Sequence, residues 1–432
     1  MRRFLLSTAL ISMLGLAAGA ESPVEKYIRD EPRRAAFNTH SYEFHPLHDT
    51  PAPKGYKPFY ISHYGRHGSR SGWMTEDFGK LLDTLSMAAE KGILTAEGDS
   101  LLAELSLIHK MHDGMDGRLT QRGVKEHSML GRRMYLRYRE VFRKGSGKVR
   151  ALSSTVPRCI VSMAAFTGSL SALQPSLEIE MDTGEKFYEY IGKDDDSDKT
   201  IKREAKKLLR KYRKLYSRID TTAVMTTLFS DPVAARELIH DVKGFQYDIY
   251  SDIKIAEAFG IKENPYRYLP FENVLDFHRQ RILSAYLRQC NSKDLGDRRM
   301  ALSVPLADSI LSHANEVIEG RAERCADLIF GHDWPYLGLT SYFGLDGVGA
   351  RYSLKEAADK WVGSKYCPFA ANLQIIFYRK NPTDREPLVK FLLNEEETLI
   401  PELQAVSGPY YRWSDFTAYI AEKDKRYKPN EN

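Results

Sequence analysis

Short apolar runs alternate with longer amphipathic stretches along most of the chain, and this alternation defines its predicted elements. Each apolar run is bounded by polar or turn-forming residues, a pattern typical of a buried strand. Strands are predicted at residues 58–64, 148–153, 177–181, 325–330, 372–378 and 388–393. Helical spacing between them predicts helices over 76–90, 101–111, 119–143 and 160–173, with Thr120 as the N-cap of the third. Alternating strands and helices predict an α/β fold, a three-layer α/β/α sandwich with a mostly parallel central sheet.

Between residues 183 and 300 the strand pattern gives way to helical spacing. An acidic run at 194–198 precedes a predicted helix over 201–218 that carries nine Lys or Arg residues against one Glu, with the cations surrounding the helix rather than forming one stripe. Strand patterns return after residue 300. We therefore expect an α/β core formed by 21–182 and 301–432, interrupted by an all-α cap at 183–300.

The first 20 residues have the pattern of a secretory signal peptide. Arg2 and Arg3 precede an apolar stretch at 4–16, and small residues at 18–20 indicate cleavage near Ala20. The apolar stretch is too short to span a bilayer, and no cysteine near the cleavage point offers a lipid anchor. We expect an exported protein, periplasmic or secreted, without a membrane anchor.

The net charge and the cysteines bear on two questions, nucleic-acid binding and disulfide bonds. The formal net charge is +5, a mild excess that is not by itself the signature of a nucleic-acid-binding protein. The chain has four cysteines. Export permits disulfides, and four cysteines allow three pairings between which the sequence does not choose. Burial as free thiols is an equally good interpretation, because Cys159 and Cys325 lie in apolar surroundings.

The first candidate for chemistry is the run Arg66-His67-Gly68-Ser69-Arg70, directly after the first predicted strand. Two guanidinium groups can bind phosphate oxygens with paired N–H donors. Glycine lets the backbone turn tightly beside an anion, and the histidine between the cations is a candidate nucleophile. A lone Arg-His-Gly would favour a basic surface turn, but this run has partners downstream.

Two further candidates follow other strands. Arg158 lies after the strand at 148–153, near a helix start where ligands of α/β sheets bind; alone, it reads as a helix-end arginine paired with a carboxylate. His332 and Asp333 follow the strand at 325–330. This pair could bind phosphate and protonate a leaving oxygen, although a His-Asp pair in a turn is common. It makes a weak metal site, because further ligands at useful spacing are not evident.

In their order and strand placement these elements resemble the histidine acid phosphatases, the second branch of the histidine phosphatase superfamily. The resemblance rests on residues 66–70, on Leu119-Thr120 with Gly123 and His127, on Thr155 with Arg158, Ser162, Phe166 and Gly168, and on residues 331–333. Residues 372–379 and 389–395 look like the multiple inositol polyphosphate phosphatases and related phytases.

The resemblance implies a phosphoric monoester hydrolase that works in two steps without metal or other cofactor. His67 would form a phosphohistidine. Arg66, Arg70, Arg158 and a cationic His332 would hold the phosphoryl oxygens. Asp333 would protonate the leaving group, which implies an acidic working pH.

Two positions depart from the family pattern. A proline is frequent two residues after the second arginine, where this chain has Gly72, a change expected to widen the entrance. Inositol polyphosphate phosphatases typically carry His-Ala-Glu at the donor site, whereas this chain has His332-Asp333-Trp334, as in acid phosphatases of the His-Asp type. The substrate is therefore less defined than the chemistry.

The expected partner is a small phosphorylated substrate, a polyanion such as phytate, and not a nucleic acid. Lys202, Arg203 and Lys206 on the basic helix are candidates for binding it, with a solvated cap surface as the alternative. Two other functions stay open: a broad-specificity acid phosphatase acting on other phosphomonoesters, and a non-catalytic binder of phosphorylated ligands. Phosphate transfer by a mutase-like enzyme is disfavoured by the signal peptide.

Overall fold

The structure, a computed structural model, describes residues 21–72, 76–192, 199–296 and 298–427. The predicted signal peptide and the acidic run at 194–198 lie outside these ranges. Among the helices within them, none is long and apolar enough to cross a membrane.

The described residues form a sheet of eight strands. Its strands are β1 (Lys57–Arg66), β2 (Lys148–Ser153), β3 (Glu178–Thr183), β4 (Ala326–Gly331), β5 (Asn372–Arg379), β6 (Leu388–Leu393), β7 (Glu396–Thr398) and β8 (Tyr410–Arg412). They lie in the order β3-β2-β4-β1-β5-β6-β7, with β8 also paired to β6. All six strands predicted from apolar runs are present.

The sheet has a parallel half and an antiparallel half. Strands β3, β2, β4 and β1 run parallel to one another, whereas β5 pairs antiparallel with β1, and β6 to β8 continue in antiparallel pairs. The predicted α/β class is confirmed, with the parallel arrangement confined to four strands. Apolar runs alone do not reveal strand direction, because antiparallel strands buried on both faces are equally apolar.

Helices cover both faces of the sheet and extend beyond it. Their bounds are α1 (Pro23–Asp30), α2 (Glu76–Glu90), α3 (Ala96–His112), α4 (Gln121–Arg137), α5 (Arg139–Lys144), α6 (Pro157–Leu173), α7 (Lys199–Tyr216), α8 (Ala223–Leu228), α9 (Pro232–Leu238), α10 (Val242–Ile253), α11 (Phe271–Gln289), α12 (Val304–Ile318), α13 (Asp333–Tyr342), α14 (Leu354–Lys360), α15 (Gly363–Tyr366) and α16 (Trp413–Tyr427). Short 3₁₀ helices include Pro32–Thr39 and Ala256–Phe259.

The helix predicted over 119–143 begins as expected and ends early. Thr120 is its N-cap, with Oγ1 accepting a hydrogen bond from the Gly123 N–H at 3.3 Å. The helix stops at Tyr138, whose φ of −123° and ψ of 43° are not helical, and α5 follows. The prediction of one continuous helix was wrong at this residue, since apolar spacing carries on through the break.

Alternate residues of the central strands feed two separate cores, as a three-layer sandwich requires. Tyr60 and Tyr64 of β1 face a core shared with α11, α12, α13 and α16. Ile61, between them, faces a core shared with α4 and α6 on the opposite side of the sheet. All four cysteines are buried free thiols, so burial rather than disulfide bonding is the outcome.

A third core lies among helices alone. It joins residues of α2 and α3 to residues of α8, α10 and the first part of α11. Between Thr183 and Ala326 the described residues form helices and no strand. The division into a core and a 183–300 cap stays a prediction, and the packing adds α2 and α3 to the helical side.

The basic helix α7 has one buried face. Ile201, Ala205, Leu209 and Tyr212 are buried and the helix packs against α11 and α14. The cations therefore do not surround the helix, contrary to expectation, and occupy the faces that this apolar stripe leaves.

Candidate functional site

The candidate residues meet at one edge of the sheet. Strands β1, β2 and β4 run parallel, so their carboxyl ends lie together. Arg66 ends β1, Arg158 is the second residue of α6 after β2, and His332 and Asp333 join β4 to α13. This is the edge at which open α/β sheets bind ligands. The structure thus brings together the six core residues that the motifs single out.

His67 is held by the backbone on both sides and by its own ring. Its N–H donates to the carbonyl of Gly331 at 3.0 Å, and its carbonyl accepts from the N–H of Ala370 at 3.0 Å. Ring Nδ1 lies 3.0 Å from the carbonyl of Gly68. A carbonyl can only accept, so Nδ1 carries the proton and Nε2 keeps its lone pair. Burial and then the charges of Arg66 and Arg158 hold the pKa of His67 well below its usual range.

Close backbone packing fixes the turn after His67. A Cβ atom on Gly68 would lie 2.6 Å from the carbonyl oxygen of Gly123 in helix α4, so the turn needs glycine here. The Gly68 N–H donates to Ser162 Oγ at 3.1 Å.

A buried carboxylate that the sequence analysis missed holds the same turn. Glu126 accepts hydrogen bonds from Ser69 N and Ser69 Oγ, both at 2.7 Å, and from Tyr42 N at 3.2 Å. Burial raises the pKa of Glu126, although these hydrogen bonds oppose the shift. The available signal was its position on α4, three residues after Gly123 and therefore on the same inward face of the helix.

Arg66 is almost fully buried and fixed at one end. Its Nη1 donates to the carbonyls of Cys367 at 3.2 Å and Pro368 at 2.9 Å, and its guanidinium carbon lies 4.9 Å from the centre of the Phe369 ring. Nη2 lies 3.5 Å from Asp333 Oδ2. Its Nε is buried and has no hydrogen-bond partner in the described part of the chain. A buried donor of this kind is suited to an anion.

The three arginines crowd one another. Burial, followed by the positive charges of Arg158 and Arg66, lowers the pKa of Arg70 to about 10. Burial also lowers the pKa of Arg158, and Arg66 adds to the effect. Cations pressed together in this way repel, and an anion bound among them would relieve the repulsion.

His332 lies face to face with Trp334 and edge-on to His67. The ring centres of His332 and Trp334 are 4.2 Å apart at an angle of 5°, and those of His332 and His67 are 5.8 Å apart. Its Nε2 lies 3.1 Å from Ser154 Oγ. Burial and the charge of Arg158 lower the pKa of His332 to about 3. This lowered pKa favours the neutral ring, and the expected cationic His332 beside a bound phosphate stays a prediction.

Asp333 opens helix α13 and receives a short hydrogen bond. Asn38 Nδ2 donates to Asp333 Oδ2 at 2.6 Å. Burial would raise the pKa of Asp333, but the Arg66 charge and the Asn38 hydrogen bond outweigh it and bring the pKa below its usual range. Asn38 was not foreseen from the sequence, since no motif surrounds it. It follows Phe37, whose φ of 54° is rare for a non-glycine residue and sets the direction of the chain here.

The predicted cap residues are placed on α7. Arg203 and Lys206 are exposed and Lys202 is half-buried, on a helix that packs against α11 and α14. Their part in substrate binding stays a prediction.

A cleft of about 190 Å³ opens beside His332. One side carries Arg158 and Ser154, and the rest is largely aromatic, with Phe187, Tyr188 and Trp334. The site can therefore place a nucleophilic nitrogen, three cations and a carboxyl group around one anion, next to an apolar wall.

Comparison with known proteins gives matches among solved structures only. No family model matches the chain, and no curated protein matches it significantly. The multiple inositol polyphosphate phosphatase of Bifidobacterium longum in complex with phosphate aligns over 92% of this chain and 99% of its own, with a TM-score of 0.74 and 17% identity. The phytase of D. castellii covers 96% of this chain and 90% of its own, at TM-score 0.64 and 14% identity. The phytase of Hafnia alvei covers 86% of this chain and 98% of its own, with a TM-score of 0.52 and 13% identity.

At identities this low, the likeness shows a shared fold. The fold is shared with an inositol polyphosphate phosphatase and with phytases, which agrees with the resemblance found in the sequence motifs.

Proposed function

We propose that this protein is an exported phosphatase that hydrolyses phosphomonoesters through a phosphohistidine at His67, with inositol polyphosphates such as phytate as its substrates. One observation carries the proposal: the hydrogen bond from His67 Nδ1 to Gly68 leaves Nε2 with a lone pair amid three arginines. A neutral nitrogen nucleophile among cations matches what attack on a phosphate requires.

In the first step, the lone pair of His67 Nε2 attacks phosphorus and the bond from phosphorus to the ester oxygen breaks. Arg66, Arg70 and Arg158 balance the charge on the non-bridging oxygens. Asp333 gives its proton to the leaving oxygen. In the second step, water attacks phosphorus and passes a proton to the Asp333 carboxylate. The P–N bond breaks, releasing inorganic phosphate and neutral His67.

The low pKa of Asp333 is compatible with this role. Arg66 is the main cause that lowers it. A phosphoryl dianion bound to Arg66 would offset that charge, raise the pKa of the carboxyl group and favour its protonated form. The same anion would raise the pKa of His332 and make it a donor to phosphate. Activity is therefore expected on the acid side of neutrality.

The preference for a polyanionic substrate has two supports. The fold neighbours include the Bifidobacterium longum enzyme in complex with inositol hexasulfate and Hafnia alvei phytase in complex with myo-inositol hexakis sulphate. The site itself holds more cations than one phosphate needs, because Lys254 and Arg281 lie near Arg70 in addition to Arg66 and Arg158.

A broader acid phosphatase is the second candidate, and one observation favours it. The cleft beside His332 is walled by Phe187, Tyr188 and Trp334, which would suit an apolar or aromatic leaving group. Trp334 also stands where the inositol polyphosphate phosphatases typically carry glutamate.

Phosphate release between about pH 4 and 8 tests the proposal, with inositol hexakisphosphate and an aryl phosphate as substrates. His67→Ala should abolish release from both. His45→Ala, which changes an exposed histidine (53% side-chain exposure), should leave it intact. Release only from the aryl ester would favour the second candidate. No release from either by folded protein would leave a non-catalytic binder. Quenching with alkaline denaturant during turnover should trap a phosphoenzyme that is stable in base, is lost on acid treatment and is missing in His67→Ala.

A further inference from the structure

A second group of cations lies on the helical side of the site, outside the sequence motifs. Lys254 directly follows α10, and Arg281 belongs to α11. Ile255, next to Lys254, packs on the loop after Arg70, since a Cβ atom on Gly72 would lie 3.2 Å from Ile255 Cδ1. This contact places the segment of Lys254 and Ile255 against the loop that follows Arg70. It also fills the space that Gly72 was expected to open.

Arg281 reaches the same site from the next helix. Its Nη2 donates to Asn38 Oδ1 at 2.9 Å, and the same Asn38 donates to Asp333. Arg281 Nε is buried and finds no hydrogen-bond partner among the residues that the structure describes. A buried guanidinium N–H without an acceptor is costly in the free protein and is satisfied when an anion binds.

The positive charges of both Arg281 and Arg70 act on Lys254, so this second group of cations adjoins the arginines around His67. Burial, then the charges of Arg281 and Arg70, lower the pKa of Lys254 to about 7, against the attraction of Asp252. The ammonium group donates to Ser251 Oγ at 2.7 Å and has further protons to offer. Arg70, Lys254 and Arg281 therefore share one region with two opposing carboxylates, Asp252 and Asp333, and the excess of positive charge favours an anion.

We propose that Lys254 and Arg281 form a second anion-binding subsite, which holds a phosphate group of the substrate next to the one that His67 attacks. The inference deepens the proposed function and rests on it. It defines the preferred substrate class as compounds with two or more phosphate groups on neighbouring carbons. A substrate with one phosphate would occupy Arg66, Arg70 and Arg158 and leave the subsite empty.

Binding measured by calorimetry on His67→Ala protein, which cannot turn over its ligand by the proposed route, isolates the subsite. The probes are inositol hexakisphosphate and inorganic phosphate. Adding Lys254→Met should weaken the binding of inositol hexakisphosphate about tenfold or more, the effect of losing one charge-assisted hydrogen bond. Inorganic phosphate affinity should change by less than about twofold, and Lys254→Arg should restore most of the loss.

Lys243→Met is the matched control. Lys243 is exposed and lies in the first turn of α10, at the opposite end of the helix from Lys254, about 16 Å away at 1.5 Å per residue. The Lys243→Met variant also loses one positive charge. It should bind inositol hexakisphosphate and inorganic phosphate as tightly as the His67→Ala parent does. Thermal unfolding of each variant checks that it folds, and Lys254→Gln replaces Lys254→Met if the latter does not.

Three results would overturn the subsite. Lys254→Met could weaken the binding of both probes equally, or it could weaken neither. The third is that the His67→Ala parent does not bind inositol hexakisphosphate. The selective loss would support it even if wild-type protein released no phosphate. In that case the proposed hydrolysis would fail while the subsite stood, so the two failures are distinguishable.

Discussion

Asn38 links the candidate proton donor to the helical side of the molecule: its Nδ2 lies 2.6 Å from Asp333 Oδ2, and its Oδ1 accepts from Arg281. The segment that carries Asn38 is almost 300 residues away from Asp333 along the chain. This one side chain therefore connects the carboxyl group of Asp333 to Arg281 of the proposed second subsite.

Replacing Asn38 by leucine should raise the pKa of Asp333. The Asn38 hydrogen bond favours the ionised carboxylate and is one cause of its lowered pKa. Without this hydrogen bond the carboxyl group keeps its proton to higher pH. In a plot of kcat against pH, the basic limb should therefore move to higher pH by up to about one unit. The profile measured with inositol hexakisphosphate checks this.

Asn381→Leu serves as the control for this shift. Asn381 lies in the exposed turn after β5, at the end of that strand opposite the site. Its profile should overlay the wild type. A downward shift or no shift in Asn38→Leu would contradict the role of the hydrogen bond.

Asp333→Asn should show an effect that depends on the leaving group. The variant cannot donate a proton to the departing oxygen. Hydrolysis of inositol hexakisphosphate, which releases a basic alkoxide, should slow by about 10²–10⁴-fold. Release of nitrophenolate, which leaves without a proton, should slow by less than about tenfold. Steady-state kcat for the two esters makes the comparison, and equal losses would show that Asp333 acts only by holding charge.

Gly123→Ala should destabilise the protein and reduce kcat. Its new Cβ atom would lie 2.3 Å from the Ser69 carbonyl oxygen, so the loop after His67 must shift. Overpacking of this kind costs about 1–3 kcal/mol. Gly168→Ala, with open space around the added atom in the helix α6, should instead stabilise by about 0.5–1 kcal/mol. Thermal unfolding and kcat are measured for both variants. A change in stability of the same sign in Gly123→Ala and Gly168→Ala would contradict this prediction.

The sequence revealed the parts of the site that lie on short motifs next to strands. Arg66, His67, His332 and Asp333 follow apolar runs whose burial is dictated by composition, so their meeting at one sheet edge could be foreseen from topology. The position of Arg158 could be foreseen in the same way, because it comes soon after the apolar run that forms β2.

Residues that act across long stretches of chain could not be foreseen. Asn38, Lys254 and Arg281 have ordinary neighbours in sequence, and their roles come from contacts between distant segments. The lowered pKa of His332 could not be foreseen for the same reason, because burial and the surrounding arginines cause it. Packing of α2 and α3 with the later helices depends on apolar faces that any partner could cover.

A buried ion cluster between the N-terminal segment and the helical side should make stability depend on alkaline pH. His40 Nδ1 lies 2.8 Å from Glu257 Oε2, and Nε2 lies 2.8 Å from Glu43 Oε1. Burial alone would lower the pKa of His40, but the two carboxylates outweigh it and raise the pKa to about 9. Both ring nitrogens donate, so the folded protein holds a histidinium.

Because the folded pKa of His40 exceeds the unfolded value of 6.5, its contribution to stability is complete below pH 6.5 and is lost as the pH rises through about 9. The shift corresponds to at most about 3 kcal/mol. Urea unfolding at about pH 6, 8 and 10 should show the wild type losing more stability across this range than His40→Gln, while His45→Gln follows the wild type. Parallel losses in wild type and His40→Gln would contradict a histidinium at this position.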